Sequence, residues 1–512
     1  MKANGLWIFA CLFPTLALAQ MPISSDTVAE RGLALQQERM SLTRHANLLL
    51  YHNPATWATR YENDFSQVGI GYDYKKASLP AVAQIGRGKQ AFLFNADSYI
   101  RLNKQSVVWG KAAYENGKRL QASWNLASDF ERVYPYVLAD SVTVDLKRET
   151  YSFSGGYAHQ GRKMGFGADM SYRSLLEYRD QDPRPKNTSL DVKGRIGLSY
   201  RLYRHYAIGL YGALNKYSQQ GSMMFLSPYG NRVLYHMMGL GMQYFRFKGL
   251  ESSVKYEGSS SDIGVTWHAL DGQGLQGTVQ LSREHIQKRL TSKQFLPLCD
   301  TYQTALSAQL SWSKQLDNYD FHVAIKGEKT NREGKEHIYD NGVTNYHEIA
   351  STKPFLCNME SATLDMAGAY CPHERLMLEC LPSVTYRSVK MTYADPYREL
   401  KYAGIDSRLN FQISCFLGRN LFSAAIEGGY MAHTSKNLTL TQPALFEKPI
   451  PVLEQNYRML STNYADFGLS MRYDLFLKKT VRSLYIKTAY AHRHYSNHEK
   501  INAFSMSLGV TL

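Results

Sequence analysis

From about residue 160 to the C-terminus the chain repeatedly alternates apolar with polar side chains, and this period of two limits its fold more than any other feature. Phe504, Met506, Leu508 and Val510 interleave with Ser505, Ser507, Gly509 and Thr511. Phe467, Leu469, Met471 and Tyr473 interleave with Gly468, Ser470, Arg472 and Asp474, and Ile196, Leu198 and Tyr200 with Gly197, Ser199 and Arg201. Residues 68–74, 164–172, 238–244, 306–312 and 422–430 keep the same period. Neighbouring strand residues point to opposite faces, so each segment has one apolar, aromatic-rich face and one polar face. A soluble sandwich shares that period, but two further features separate the cases. Many segments run for about ten residues, enough for a tilted strand to cross a bilayer. The links also take turns: 477–482, 417–420, 371–374 and 314–319 are short, whereas 434–462, 394–406, 330–360 and 282–302 are long. Bacterial barrels have short periplasmic turns and longer external loops, a parity that a sandwich has no reason to keep. The expected fold is all-β: an antiparallel transmembrane β-barrel of about 18–20 strands over residues 63–512. The place of 68–74 in the strand count is left open by parity.

The start of the chain fixes the expected compartment. Lys2, the apolar run 6–18 and Ala17-Leu18-Ala19 form a secretory signal over residues 1–19, with the mature chain starting near Gln20. No later stretch of about 18 apolar residues could cross a membrane as a helix. The mean hydropathy of −0.38 does not argue against a membrane wall, because wall residues alternate with polar lumen residues. The 37 tyrosines suit interface belts, where the ring is apolar and the hydroxyl reaches water. Residues 20–62 form an N-terminal leader. In it Leu33, Leu35, Met40, Leu42, Leu48 and Leu49 suit either an amphipathic helix that plugs the barrel or a flexible periplasmic segment.

Fifty-nine Lys and Arg against 44 Asp and Glu give a net charge of +15. Export argues against nucleic acid, so the excess is assigned to a basic lumen and to contacts with lipid and lipopolysaccharide phosphates. Arg195, Arg201, Arg472 and Lys487 are the candidate lumen-facing basic residues, since charges facing lipid cost several kcal/mol near mid-bilayer. In a water-filled lumen they would favour anionic solutes. In a filled lumen, the version favoured here, they would pair with Asp169, Glu427 and Asp474. The prolines of 180–185 suggest a rigid loop, either a conformational lock or a gating element. His492, His494 and His498 flank the last external loop beside Arg493 and Lys500, whose charges oppose a metal. Cys299 and Cys357 are placed in external loops, where the compartment permits a disulfide. The absence of a phosphate loop, a His-Glu-x-x-His or a Cys-x-x-Cys leaves no expectation of an enzyme, a cofactor or a metal.

The run 124–129 (Trp-Asn-Leu-Ala-Ser-Asp), Tyr134-Pro135-Tyr136-Val137, Ala139-Asp140-Ser141 and Glu149-Thr150-Tyr151 resembles an uncharacterised outer-membrane barrel family of the Bacteroidetes. Tyr172-Arg173, Tyr178-Arg179 and Asp182-Pro183-Arg184-Pro185 share in that resemblance. It implies an outer-membrane location and no established activity, so no functional residue is carried over. Leu512 departs from the terminal Phe frequent in such barrels. Asn53-Pro54-Ala55 is similar to the box near the start of long-chain fatty acid transporters. Two functions are expected to compete. One is transport of a solute; the other is docking to another outer-membrane complex, such as a TonB-dependent receptor, or anchoring surface material through long loops. N-terminal sequencing of the protein from outer membranes should start near Gln20; an intact Met1, or recovery from the soluble periplasm, would contradict the assigned compartment.

Overall fold

A strand in hydrocarbon must hand every backbone N–H and C=O to a neighbouring strand, and the sheet can meet that demand everywhere only by closing. The computed structural model describes residue 38 and residues 48–512, apart from 204, 227–232, 248–252, 341, 343–345, 374, 442–447 and 478–481. The signal segment and most of the leader lie outside the described residues. In chain order the strands begin β1 (Phe65–Ala77), β2 (Gly88–Arg101), β3 (Ser106–Ala122), β4 (Leu138–Ala139), β5 (Val144–Gln160), β6 (Met164–Tyr178) and β7 (Arg184–Tyr203). There follow β8 (Tyr206–Met224), β9 (Tyr235–Gly239), β10 (Met242–Gln243), β11 (Val254–Ala269), β12 (Gly274–Leu290), β13 (Leu296–Gln315) and β14 (Tyr319–Tyr339). The last seven are β15 (Glu348–His373), β16 (Leu376–Tyr393), β17 (Arg398–Leu417), β18 (Asn420–Leu440), β19 (Tyr464–Phe476), β20 (Ser483–Tyr495) and β21 (Lys500–Thr511). All but β4, β9 and β10 form one antiparallel sheet of 18 strands. The residues 68–74 sit in the middle of β1, which closes the ring: Val68 lies opposite Ala96 of β2 on one side and Val510 of β21 on the other.

The outer wall carries the apolar set. Ile196 is 70% exposed, Leu214 73% and Met471 52%, values that a water-facing surface of this size does not sustain. Their strand neighbours Gly197, Ala213 and Asp474 are buried on the lumen side. Links 102–105, 161–163, 270–273, 316–318 and 418–419 stand at the end where β1 starts and β21 finishes; the other end holds the long link 123–143 and the described parts of 225–253 and 441–463.

The structure corrects three sequence expectations. Most of 282–302, 330–360 and 394–406 is strand, not loop: β12 runs to Leu290 and β13 resumes at Leu296, β14 reaches Tyr339 and β15 resumes at Glu348, and β17 begins at Arg398. Above the apolar belt the outer face carries Arg283, Glu333 and Lys335, so the hydropathy period disappears although pairing continues. The alternating stretch 238–244 is not wall. Gly239, Leu240 and Gly241 all take positive φ, and the chain folds back there as the short hairpin β9–β10 inside the barrel. Cys299 and Cys357 lie in β13 and β15, not in loops, and both are buried free thiols. Strand β14 stands between them, placing them beyond the reach of a disulfide.

The upper lumen holds the hydrophobic core. The link 123–143, with the helical turn Phe130–Val133 and β4, meets β9 and β10 in a three-stranded inner sheet. Its Val133, Tyr136 and Leu138, with Leu234, Leu240 and Met242, pack against the inward side chains Tyr217, Tyr256, Ile286, Leu290, Phe355 and Tyr393 of the wall. Tyr256 ties the layers together: its hydroxyl donates to Tyr136 O at 3.0 Å and accepts from Leu138 N at 3.2 Å. The helix Ile450–Leu460 covers one side, where Asn456 Oδ1 accepts from Ala83 N at 2.9 Å.

Leu469 lies opposite Ile426 and Tyr490, both exposed on the outer face. Leu469→Arg should therefore cost about 2–4 kcal/mol if near mid-bilayer, whereas Ser470→Arg adds a charge on the face that holds Arg472. Heat-modifiable gel mobility and membrane yield should show a far greater loss of folded protein for Leu469→Arg; a greater loss for Ser470→Arg would invert the strand.

Candidate functional site: the lumen and its two seals

Near the end where β1 starts, the chain before β1 lies against the inner wall. Asn53 caps the 3-10 turn Pro54–Thr59, its Oδ1 accepting from Ala55 N at 3.0 Å, while its Nδ2 donates to Leu198 O and Thr266 Oγ1 at 3.3 Å each. The close approach requires glycine in the wall. A Cβ at Gly197 would stand 2.0 Å from Asn53 Oδ1, one at Gly167 2.4 Å from Pro54 C, and one at Gly209 2.4 Å from Asn53 Nδ2. Trp57 stacks on Trp109 of β3 with centroids 4.5 Å apart, and Tyr99 of β2 donates to Trp57 O at 2.8 Å. On the other side His52 Nδ1 meets Gln280 Oε1 at 2.7 Å. The sequence left plug and flexible segment open for the leader and singled out no wall contact for it. The signal was available in Gly167, Gly197 and Gly209, which lie on the inward-facing set of three successive strands.

At the opposite end the cap is also held by charge. Arg132 reaches down from the turn Phe130–Val133 to Asp191 at 2.7 Å and Glu284 at 2.7 Å, and its guanidinium lies 4.0 Å over the Tyr217 ring. Arg173 grips both carboxylate oxygens of Asp129 at 2.9 Å. Burial works against the Asp129 anion, yet this bidentate pairing holds its pKa below the usual carboxylate value.

Between the seals the lumen wall carries charge. Arg195 Nε donates to Asp169 at 2.8 Å, and Arg472 pairs with Asp474 at 2.6 Å while lying 4.2 Å over the Tyr485 ring. Glu427 pairs with Arg408, not with any of the four singled-out cations. Arg201 is exposed near the end of β7, by the short turn to β8. Lys487 is exposed although its strand neighbours point it into the lumen, and so is Arg387 on β16. Neither has a carboxylate within ion-pair distance among the described residues. Space therefore remains in the lumen on the side of β16 to β21. His492 and His494 stack at 6.5 Å, His492 is bonded to Asn502, and no metal-binding cluster occurs among the described residues. Near residues 180–185, Arg179 Nε donates to Pro183 O at 2.6 Å and Arg184 to Asp182 at 2.9 Å, which ties the short turn together.

The model of one protein family matches residues 54–512, from the docked Pro54 to the last residue. The chain belongs to the family of unknown function DUF6850. No curated protein matches the sequence of this DUF6850 member. Among solved structures, the siderophore receptor PiuA from Acinetobacter baumannii aligns over 88% of this chain and 82% of its own, at 8% identity and a TM-score of 0.37. The ferric citrate transporter FecA aligns over 88% and 79%, at 8% and 0.39. The CymD monoaromatic hydrocarbon channel aligns over 90% and 91%, at 9% and 0.31. At these scores the likenesses carry no argument, and the fold rests on the chain's own pairing.

Gly197→Val should eject the 53–59 segment from the wall while leaving strand pairing intact. Limited proteolysis should then cut near Arg60 faster than in the native protein; unchanged protection would show that the glycine cradle does not hold the segment.

Proposed function

We propose that this DUF6850 barrel resides in the outer membrane and passes a solute, anionic by preference, with the inward-folded link 123–143 and residues 233–247 as its closed gate. The observation that carries the reading is the pair of exposed lumen cations, Lys487 and Arg387, in the space below the cap. A barrel serving only as an anchor has no use for solvated charge there. In this reading Arg195, Arg201, Arg472 and Lys487 all belong to the lumen face. Arg195 and Arg472 are neutralised by Asp169 and Asp474 and stiffen the wall, whereas Lys487 remains to attract the solute. The docking reading has less support, because the described parts of two of the longest links turn into the barrel and do not project from it.

Planar-bilayer recording tests the proposal. The native protein should conduct rarely. Arg132→Ala leaves Glu284 without its ion-pair partner and Asp191 with Arg173 alone, at 3.5 Å, and weakens the closed cap by about 2 kcal/mol, or roughly 30-fold in the closed-to-open ratio. Frequent ion steps should follow, and adding Lys487→Glu should move the reversal potential in a salt gradient toward cation selectivity. Silence from the Arg132→Ala protein would refute a gated conduit.

A further inference from the structure

The outer face of the wall is not uniform in charge. On the side of β11 to β17, several outward lysines have carboxylates beside them: Lys255 with Glu257 at 2.7 Å, Lys329 with Glu360 at 2.9 Å, and Lys390, which faces Lys401 on the neighbouring strand, with Glu399 at 3.2 Å. On β3 and β5 a second lysine pair stands beside a groove in the outer face. Lys118 and Lys147 stand directly opposite each other on neighbouring strands, pointing outward in one cross-strand row that continues through Tyr178 to Lys186. Like charges in that position destabilise a sheet pair unless an anion joins them. Lys147 donates to Asp180 at 2.6 Å, whereas Lys118 has no carboxylate within ion-pair distance among the described residues.

Below this row lies an apolar step. Tyr72, Phe92 and Asn116 face outward in the next row, with Phe92 69% exposed, and Tyr114 packs on Tyr151 at 4.8 Å one row further down. Asn116 Nδ2 donates to the one carboxylate of that row, Glu149, at 3.1 Å. Lys118, Lys147, Tyr178, Glu149, Tyr72 and Phe92 line a surface groove of about 630 Å³, with the lysines at the external end and Tyr72 and Phe92 toward mid-membrane. That polarity matches a lipid whose phosphate sits at the interface and whose chains descend into hydrocarbon.

We propose that Lys118 and Lys147 bind a phosphate of lipid A, the phosphorylated glycolipid of the outer leaflet, with its acyl chains along Phe92 and Tyr114. This rests on the orientation used above, in which the long links are external; thiol labelling of whole cells tests that orientation, whereas binding in detergent tests the groove alone. Native mass spectrometry of the purified full barrel, with bis-phosphorylated lipid A as the probe, should show retained lipid. Lys118→Gln with Lys147→Gln should lower retention about tenfold, Arg at both positions should restore it, and Lys390→Gln on the far wall should leave it unchanged. Heat-modifiable mobility checks that each variant is folded. Equal retention by the Gln pair would overturn the site. So would equal binding of dephosphorylated lipid A, which would leave only the rings, or of phosphatidylglycerol, which would remove the assignment to the outer leaflet.

Discussion

The rest of this structure depends on the pairing of β1 with β21. Hydrocarbon offers no partner to a free amide, so an open edge in the bilayer would cost several kcal/mol for each unpaired group. Eighteen strands that meet end to end remove that edge, and only then can the outer face be given over to Ile196, Leu214 and Met471 without a competing association. The polar set is thereby confined to the inside. What distinguishes this barrel is what the chain does with that interior.

It uses two different solutions at the two ends. Close to the β1 end a short segment reaches the wall because glycines admit it, and polar atoms of Asn53 fix its register. At the opposite end, the links bring a small apolar core of their own and bury it against the inner faces of the wall strands from β8 to β17. The first solution depends on backbone contact and the second on side-chain packing. Arg132 joins the second to the charged lumen below, since one guanidinium bridges carboxylates of β7 and β12. The closed state of the cap is coupled in this way to the charge of the lumen wall.

Much of the wall was legible in the sequence. Period two identified strands wherever one face meets lipid, as in Phe467 to Leu475, and link parity separated the end of short links from the end that carries the long ones. The same signal failed where lipid is absent. Above the belt, β12 to β15 continue to pair with polar residues on both faces, and inside the cap Met238, Leu240 and Met242 alternate because they are buried in a hairpin. Hydropathy reports the environment of a residue, and backbone pairing outlasts that environment. The charged network was harder to read for another reason. Asp169 and Asp474 do hold Arg195 and Arg472, but Glu427 serves Arg408, because cross-strand neighbours depend on register and register is not visible one strand at a time.

The cap also differs from an ordinary core in its polar content. Lys288 is 2% exposed between Ile286 and Leu290, and neither its ammonium nor either ring nitrogen of His236 has a hydrogen-bond partner in the protein among the described residues. Arg398 donates to Leu240 O at 2.7 Å, yet its Nε and one terminal nitrogen are unmatched by protein atoms. Side chains of this kind gain little from the closed arrangement, because each must recruit water or remain unpaired at a cost of about 1–3 kcal/mol. Opening the cap would hydrate them, which offsets part of the apolar burial lost. A seal built only from Leu, Phe and Val would close more firmly and would be harder to move. The buried lysine, histidine and arginine therefore set the cap nearer to balance than its hydrophobic residues alone would, which accords with the proposed gate.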